Sequence, residues 1–159
     1  MEYGIRELKR EEYGLLSEFL YEAIYIPEGE RQPPKAIILQ PELQVYVSKF
    51  GKEDDTCLVA EVGGKIVGAV WSRIMNDYGH IEERTPSLAI GIYKEYRGFG
   101  IGTELMKQML VLLGQKGYEQ VSLSVQKQNY AVNMYRKVGF DVVGENEEEY
   151  LMVLSLIHI

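Results

Sequence analysis

The run 96-YRGFGIGTELM-106 sets Gly98, Gly100 and Gly102 at every second position, between an apolar stretch and an amphipathic one. Glycine loses much conformational freedom on folding, so such a run is costly inside a strand or a helix. Two reasons can place it here. Either the chain needs backbone angles that other residues dislike, or something comes closer to the backbone than a Cβ allows. In both cases the run is a turn. The stretch 87-SLAIGIY-93 before it reads as a strand, and over 102–116 behind it Leu105, Met106, Met109, Leu110, Leu112 and Leu113 form a helical stripe.

The rest of the chain is read around this turn. Residues 3–8 alternate as a short strand, and Tyr13, Leu16, Leu20, Ala23 and Ile24 share one face of a helix over 10–25. Three prolines and a glycine make 26–35 a loop, and Pro41 opens a helix predicted over 41–50. Two β-rich runs, 56-TCLVAEV-62 and 65-KIVGAVWSRI-74, flank Gly63-Gly64 as a tight hairpin. After the polar loop 75–86 and the glycine turn come a strand over 119–125, a helix over 129–138 and strands over 140–144 and 149–156. The acidic run 145–149 reads as a solvated hairpin tip. Consecutive strands in the middle require antiparallel pairing, so the expected class is α+β (mixed α/β), not a regular doubly wound sheet.

At 159 residues the chain is expected to be one domain over 1–159. A net charge of -7 argues against a nucleic-acid partner, because the phosphate backbone asks for a basic face. No apolar run approaches membrane-spanning length and the amino terminus lacks a signal-type core, so the expectation is a cytoplasmic protein with no membrane partner. Cys57, the single cysteine, sits in an apolar run and reads as a buried structural thiol. His80 and His158 share no ligand spacing with it, so no metal is expected.

A strand, a glycine-rich turn and a helix start make an anion site. The first N–H groups of a helix lack internal partners, and its dipole adds partial positive charge there. Two phosphate motifs fail on spacing. G-x-G-x-x-G would end on Thr103 from Gly98 and on Leu105 from Gly100, and the chain has no G-K-[ST] tripeptide.

What fits is R-x-x-G-x-G, as Arg97-Gly98-Phe99-Gly100-Ile101-Gly102, followed by 129-NYAVNMYRKVGF-140. Together these resemble the acyl-coenzyme A pyrophosphate loop and the N-x-A-x-x-[LM]-Y-x-x-x-G-F segment of the GNAT superfamily of N-acetyltransferases. The element order over residues 3–156 is similar as well.

The resemblance implies a central, mostly antiparallel sheet of six to seven strands with about four flanking helices, splayed where acetyl-CoA lies. Free backbone groups at Ile90, Gly91 and Ile92 would pair with pantetheine. The amides of Arg97, Gly98, Phe99, Gly100, Ile101, Gly102 and Thr103 would hold the pyrophosphate, and Asn129 would lie near the pantetheine arm.

For chemistry, the resemblance implies the Ile92 N–H as oxyanion donor and Tyr135 as the group facing the thioester sulfur. Where some relatives carry a glutamate, this chain has 122-SLSV-125, so the base is sought in the 75–86 loop. Glu83 is the candidate, with Glu82, His80 or a water chain as alternatives. The acceptor is an amine, met by the helix over 10–25 and the loops 26–35 and 75–86. Glu22, Glu28, Glu30, Asp77, Glu82 and Glu83 supply negative charge there. Family habit implies a homodimer. A rival reading, a non-catalytic acyl-CoA-binding module, shares the glycine turn but has no need of Tyr135.

Overall fold

A computed structural model describes residues 1–75 and 84–157. It contains seven strands in one sheet: β1 (Gly4–Glu7), β2 (Thr56–Val62), β3 (Lys65–Arg73), β4 (Ser87–Ile92), β5 (Gln120–Gln126), β6 (Asp141–Glu145) and β7 (Glu149–Ser155). Their spatial order is β1-β2-β3-β4-β5-β7-β6, and every pairing is antiparallel except β4 with β5. The helices are α1 (Leu16–Ala23), α2 (Pro41–Gln44), α3 (Ile101–Gln115) and α4 (Ala131–Val138). The mixed α+β architecture and the mostly antiparallel seven-stranded sheet agree with expectation.

Burial on both faces explains the near-continuous apolar runs of the central strands. Leu16, Phe19 and Leu20 of α1 pack on Val59, Ala69 and Trp71 on one face. Leu105, Met106, Met109 and Leu113 of α3 pack on Val70, Leu88, Val121 and Met152 on the other. The hairpin between β2 and β3 turns on Gly63 (φ 56°) and Gly64 (φ 83°), two adjacent left-handed residues of the kind a two-residue turn demands.

Three local expectations are corrected. The helix expected over 10–25 divides into a 3-10 segment, Arg10–Leu15, and α1. Glu12 is held by Arg6 of β1 through two bonds of 2.8 Å and itself accepts the Lys9 N–H at 2.9 Å, which fixes a tight first turn. Gly14 then adds no helical preference.

The helix expected over 41–50 stops as α2 after one turn. Its next carbonyls are taken by side chains of β3. Arg73 Nη1 donates to the carbonyls of Val45 (3.2 Å) and Ser48 (2.9 Å), and Trp71 Nε1 donates to that of Tyr46 (3.0 Å). An α-helix over 41–50 would need the Val45 and Tyr46 carbonyls for its own ladder.

The third correction concerns the acidic hairpin. Only 146–148 form the turn, because Glu145 still pairs with Tyr150 as the last residue of β6, while Glu149 opens β7 as expected.

Candidate active site

β4 and β5 register at a single residue pair, Ser87 with Ser122, where Ser122 N donates to Pro86 O at 3.0 Å. Beyond that point the two parallel strands separate. On the other edge of β4 the ladder continues unbroken to Tyr93, whose N–H donates to Val67 O at 2.9 Å. Antiparallel pairs alternate between exchanging hydrogen bonds and not doing so. If Tyr93 exchanges with Val67, then Gly91 exchanges with Ala69, and the polar groups of Ile90 and Ile92 turn away from β3 into the gap.

Gly91 has a different task. A Cβ built there would collide with the backbone carbonyl of Phe19, so Gly91 lets α1 press directly onto β4. Tyr93 ties the same helix at its surface, its hydroxyl donating to Glu18 Oε2 at 3.0 Å. Desolvation, followed by that carboxylate, pushes the Tyr93 phenol up to about 12.

The turn after β4 uses its glycines in two ways. Gly98 and Gly100 both have φ +84°, with open space where a Cβ would stand. Gly100 precedes α3 in the left-handed region, and Glu104 N to Gly100 O (3.1 Å) is the first bond of the helix. The amides of Ile101, Gly102 and Thr103 thus form the unpartnered first turn of a fifteen-residue helix. Gly102 is instead a site of close approach, 3.1 Å from its would-be Cβ to Ile92 Cδ1. The Arg97 side chain points away from the turn. Its Nε donates to the carbonyl of Ile92 (2.9 Å), and its Nη2 to the carbonyl of Glu22 (3.0 Å) and to Glu22 Oε1 (3.2 Å), while the residue still borders the larger cavity. Phe99 stands exposed at the tip.

Across the gap, α4 begins two residues after Asn129, whose Oδ1 accepts the Ala131 N–H at 2.9 Å. Its amide donors have no partner among the described residues. Left-handed Gly139 (φ 117°) ends the helix and lets Phe140 N–H return to Tyr135 O at 3.0 Å. Tyr135 is buried and edge-on to Phe140, ring centroids 5.9 Å apart. Burial pushes its phenol well above the ordinary value of 10. No described residue hydrogen-bonds its hydroxyl.

Two cavities meet at this point. A larger one of about 800 Å³ runs from the glycine turn along Ile90–Ile92 to Tyr135 and includes Arg97, Gly102 and Asn129. A smaller one of about 230 Å³ shares Ile90, Asn129 and Tyr135 but is walled by α1, α2 and β5. A third cavity, about 540 Å³, lies between β1 and α3 with mixed charges from Arg6, Glu7, Glu104 and Lys107, away from the gap. Cys57 is buried, and desolvation raises its thiol far above the reactive range.

With this geometry in view, the comparisons with known proteins are specific. The model of the Acetyltransferase (GNAT) family matches residues 14–140. The chain belongs to the GNAT acetyltransferase family.

This family membership supports acyl transfer from acyl-CoA as the activity class. An acetyltransferase of Pectobacterium atrosepticum is 32% identical to the GNAT chain over 104 residues, covering 65% of this chain and 69% of that protein. Among solved structures, a GNAT-family acetyltransferase from Streptococcus pneumoniae superposes with a TM-score of 0.72 at 24% identity, over 97% of this chain and 99% of that one. The PaiA N-acetyltransferase from Thermoplasma acidophilum, solved in complex with coenzyme A, gives 0.69 at 22% identity over 98% and 99%.

Of the residues singled out in the sequence, Ile90, Gly91, Ile92, Arg97, Gly102, Asn129 and Tyr135 line one space in this GNAT chain. Glu22 is engaged by Arg97, and Glu30 lines the larger cavity. Asp77, His80, Glu82 and Glu83 lie outside the described residues. Among the lining residues that the sequence did not single out is a carboxylate of β7. Glu149 faces the smaller cavity; the alternation of 149-EYLMVLS-155 puts it on the face opposite Tyr150 and Met152, and the pairing of β7 with β5 brings that face to the cavity.

Proposed function

We propose that this chain is an N-acetyltransferase that moves an acetyl group from acetyl-CoA to a primary amine by direct attack in a ternary complex. One observation carries the reading: β4 parts from β5 beside the Gly98–Gly102 turn, and the unpartnered hydroxyl of Tyr135 lines the opening. The residues fit the co-substrate. Unpartnered amides at the start of α3 suit a diphosphate. The backbone of Ile90 suits an amide-bearing arm, and the Asn129 amide donors are available beside it.

The reaction needs a neutral amine, a donor for the developing oxyanion and stabilisation of the departing thiolate. The Ile92 N–H, turned into the gap, is the oxyanion donor. Tyr135 serves the sulfur. A thiol has an ordinary pKa near 8.5 and a phenol near 10, and burial widens that difference here. Full proton transfer from Tyr135 would therefore run uphill by roughly 2 kcal/mol or more. Its hydroxyl acts by hydrogen-bonding the sulfur as the C–S bond breaks, and solvent delivers the final proton. A non-catalytic acyl-CoA module would have no use for a hydroxyl that opens into the cavity here with no described protein partner.

The decisive experiment is thermal unfolding with and without acetyl-CoA, with ATP and NAD as controls. Ligand at about 100 times its dissociation constant adds roughly 2.7 kcal/mol of apparent stability. For a domain of this size that is a rise of several degrees, on the order of 5 °C. A rise specific to acetyl-CoA supports the reading. No rise at saturating ligand would remove it.

A further inference from the structure

The smaller cavity differs from the larger one in its charge. Leu20, Leu43 and Ala89 make apolar walls, Ser124 and Gln126 add neutral polar groups, and Glu149 is its one charged residue among those described. No lysine, arginine or histidine lines it among those residues. Tyr25 and Tyr46 complete an aromatic rim.

Strand alternation puts Glu149 there. Tyr150, Met152 and Leu154 of β7 pack into the core beneath α3 and α4, so Glu149, Leu151 and Val153 face the α1 side. The register pairs Gln126 with Glu149 and Ser124 with Leu151, which sets the carboxylate beside the separated end of β5. The backbone at this point is clamped: Glu149 N donates to Asn146 Oδ1 at 2.7 Å and Asn146 N donates to Glu149 O at 3.0 Å. The cavity shares Ile90, Asn129 and Tyr135 with the space assigned to the cofactor.

We propose that Glu149 receives the ammonium of the acceptor and takes its proton, and that the acceptor is a primary amine on an uncharged, largely apolar stem. This rests on the acetyltransferase reading above. A carboxylate beside an ammonium favours the charged form, so a group that only bound the cation would oppose attack. Glu149 therefore also serves as base: it accepts one proton from the ammonium in an uphill transfer, which attack by the neutral nitrogen then draws forward. The nitrogen lone pair forms the N–C bond to the acetyl carbonyl carbon, and the C–S bond then breaks with its electron pair on sulfur. The second nitrogen proton is lost to solvent, the thiolate gains one, and the carboxylic acid of Glu149 releases its own, so one proton appears per turnover. An acceptor with a carboxylate next to its amine would bring like charge against Glu149 with no cation to answer it.

The test uses phenethylamine and phenylalanine, which share stem and amine and differ by one carboxylate. Release of the CoA thiol is followed for the full chain and for Glu149→Gln and Glu149→Asp, alongside the acetyl-CoA-dependent rise in unfolding midpoint. Phenethylamine is expected to exceed phenylalanine at least about ten-fold in kcat/KM. Glu149→Gln should lose about 100-fold on phenethylamine, the scale of a lost general base, and Glu149→Asp should retain more activity than Glu149→Gln. All three proteins should keep the acetyl-CoA rise. The proposal is overturned, with the cofactor reading intact, by any of four results: full activity in Glu149→Gln, no advantage of Glu149→Asp, equal use of phenylalanine, or no thiol release with phenethylamine. Absence of the acetyl-CoA rise in the parent protein would instead overturn the underlying reading, and this proposal with it.

Discussion

The backbone carbonyl of Phe19 occupies the place where a Cβ on Gly91 would stand. α1 and β4 therefore meet backbone to backbone, on the face opposite α3, and the smaller cavity opens beside that contact. Gly91→Ala cannot be absorbed by a side-chain rotation, since the obstacle is main chain. It is expected to cost about 1–3 kcal/mol, the usual range for overpacking. Urea unfolding measures it directly, and a loss below a few tenths of a kcal/mol would mean α1 shifts freely.

Gly100 and Gly102 should separate the two uses of glycine in the turn. Gly100→Ala forces a side chain into the left-handed region at φ +84° and should destabilise by about 1–2 kcal/mol. Gly102→Ala sits in helical backbone, and its only tight neighbour is the flexible end of Ile92, so its stability should stay within about 1 kcal/mol of the parent. Because Gly102 lines the larger cavity, its new methyl should still reduce the acetyl-CoA-dependent rise in midpoint. A full rise in Gly102→Ala would place the ligand elsewhere.

Tyr135→Phe removes a hydroxyl that no described residue hydrogen-bonds. The fold should therefore be nearly indifferent, within about 0.5 kcal/mol. Turnover should drop by about 100-fold with little change in acetyl-CoA affinity, if the hydroxyl serves the leaving sulfur. Steady-state kinetics with the acetyl-CoA titration separates the two, and an unchanged kcat would take Tyr135 out of the mechanism.

The Asp55–Arg73 pair is nearly shut from solvent, with side chains 3% and 5% exposed. Asp55 also accepts the N–H groups of Gly51 (2.9 Å) and Lys52 (3.0 Å). Asp55→Ala leaves a buried guanidinium without its counter-ion and should cost about 3–5 kcal/mol. Since Arg73 also holds the carbonyls after α2, the wall carrying Leu43 and Tyr46 should loosen. Denaturant melts and proteolysis around 41–50 would report both effects.

Glu12 has a sharper acid signature. The Arg6 hydrogen bonds, then the Lys9 amide, hold its carboxyl down to about 2 from an ordinary 4.5. A depressed folded-state pKa contributes stability that is fully present above 4.5 and is lost as pH falls through about 2. The midpoint of the parent protein should therefore decline through this window more steeply than that of Glu12→Gln. Parallel curves for the two proteins would show that the pair contributes nothing to stability.

Much of this architecture is written locally. The apolar run 56–62, the alternation in 149–155 and the 3.6-residue stripe from Leu105 to Leu113 mark which faces of each element are buried, and burial is what packing then satisfies. The glycines at 63, 64, 98 and 100 announced turns because their backbone angles exclude most other residues. The glycine turn and the Asn129–Phe140 segment were legible together for the same reason. Each is a short-range pattern with its own geometry.

What the chain did not reveal depends on partners distant in sequence. The helix after Pro41 is cut short because Trp71 and Arg73, more than twenty residues on, claim its carbonyls. Gly91 looked like one of three equivalent strand residues until α1 was seen lying on it. Glu149 looked like part of a solvated acidic tip, and only the pairing of β7 with β5 turned it toward a cavity. The residues and their periodicities determined which elements form and which face each one buries. The tertiary structure decided where β4 leaves β5 and which carboxylate stands at the opening, because strand neighbours are chosen by long-range pairing that no local pattern records.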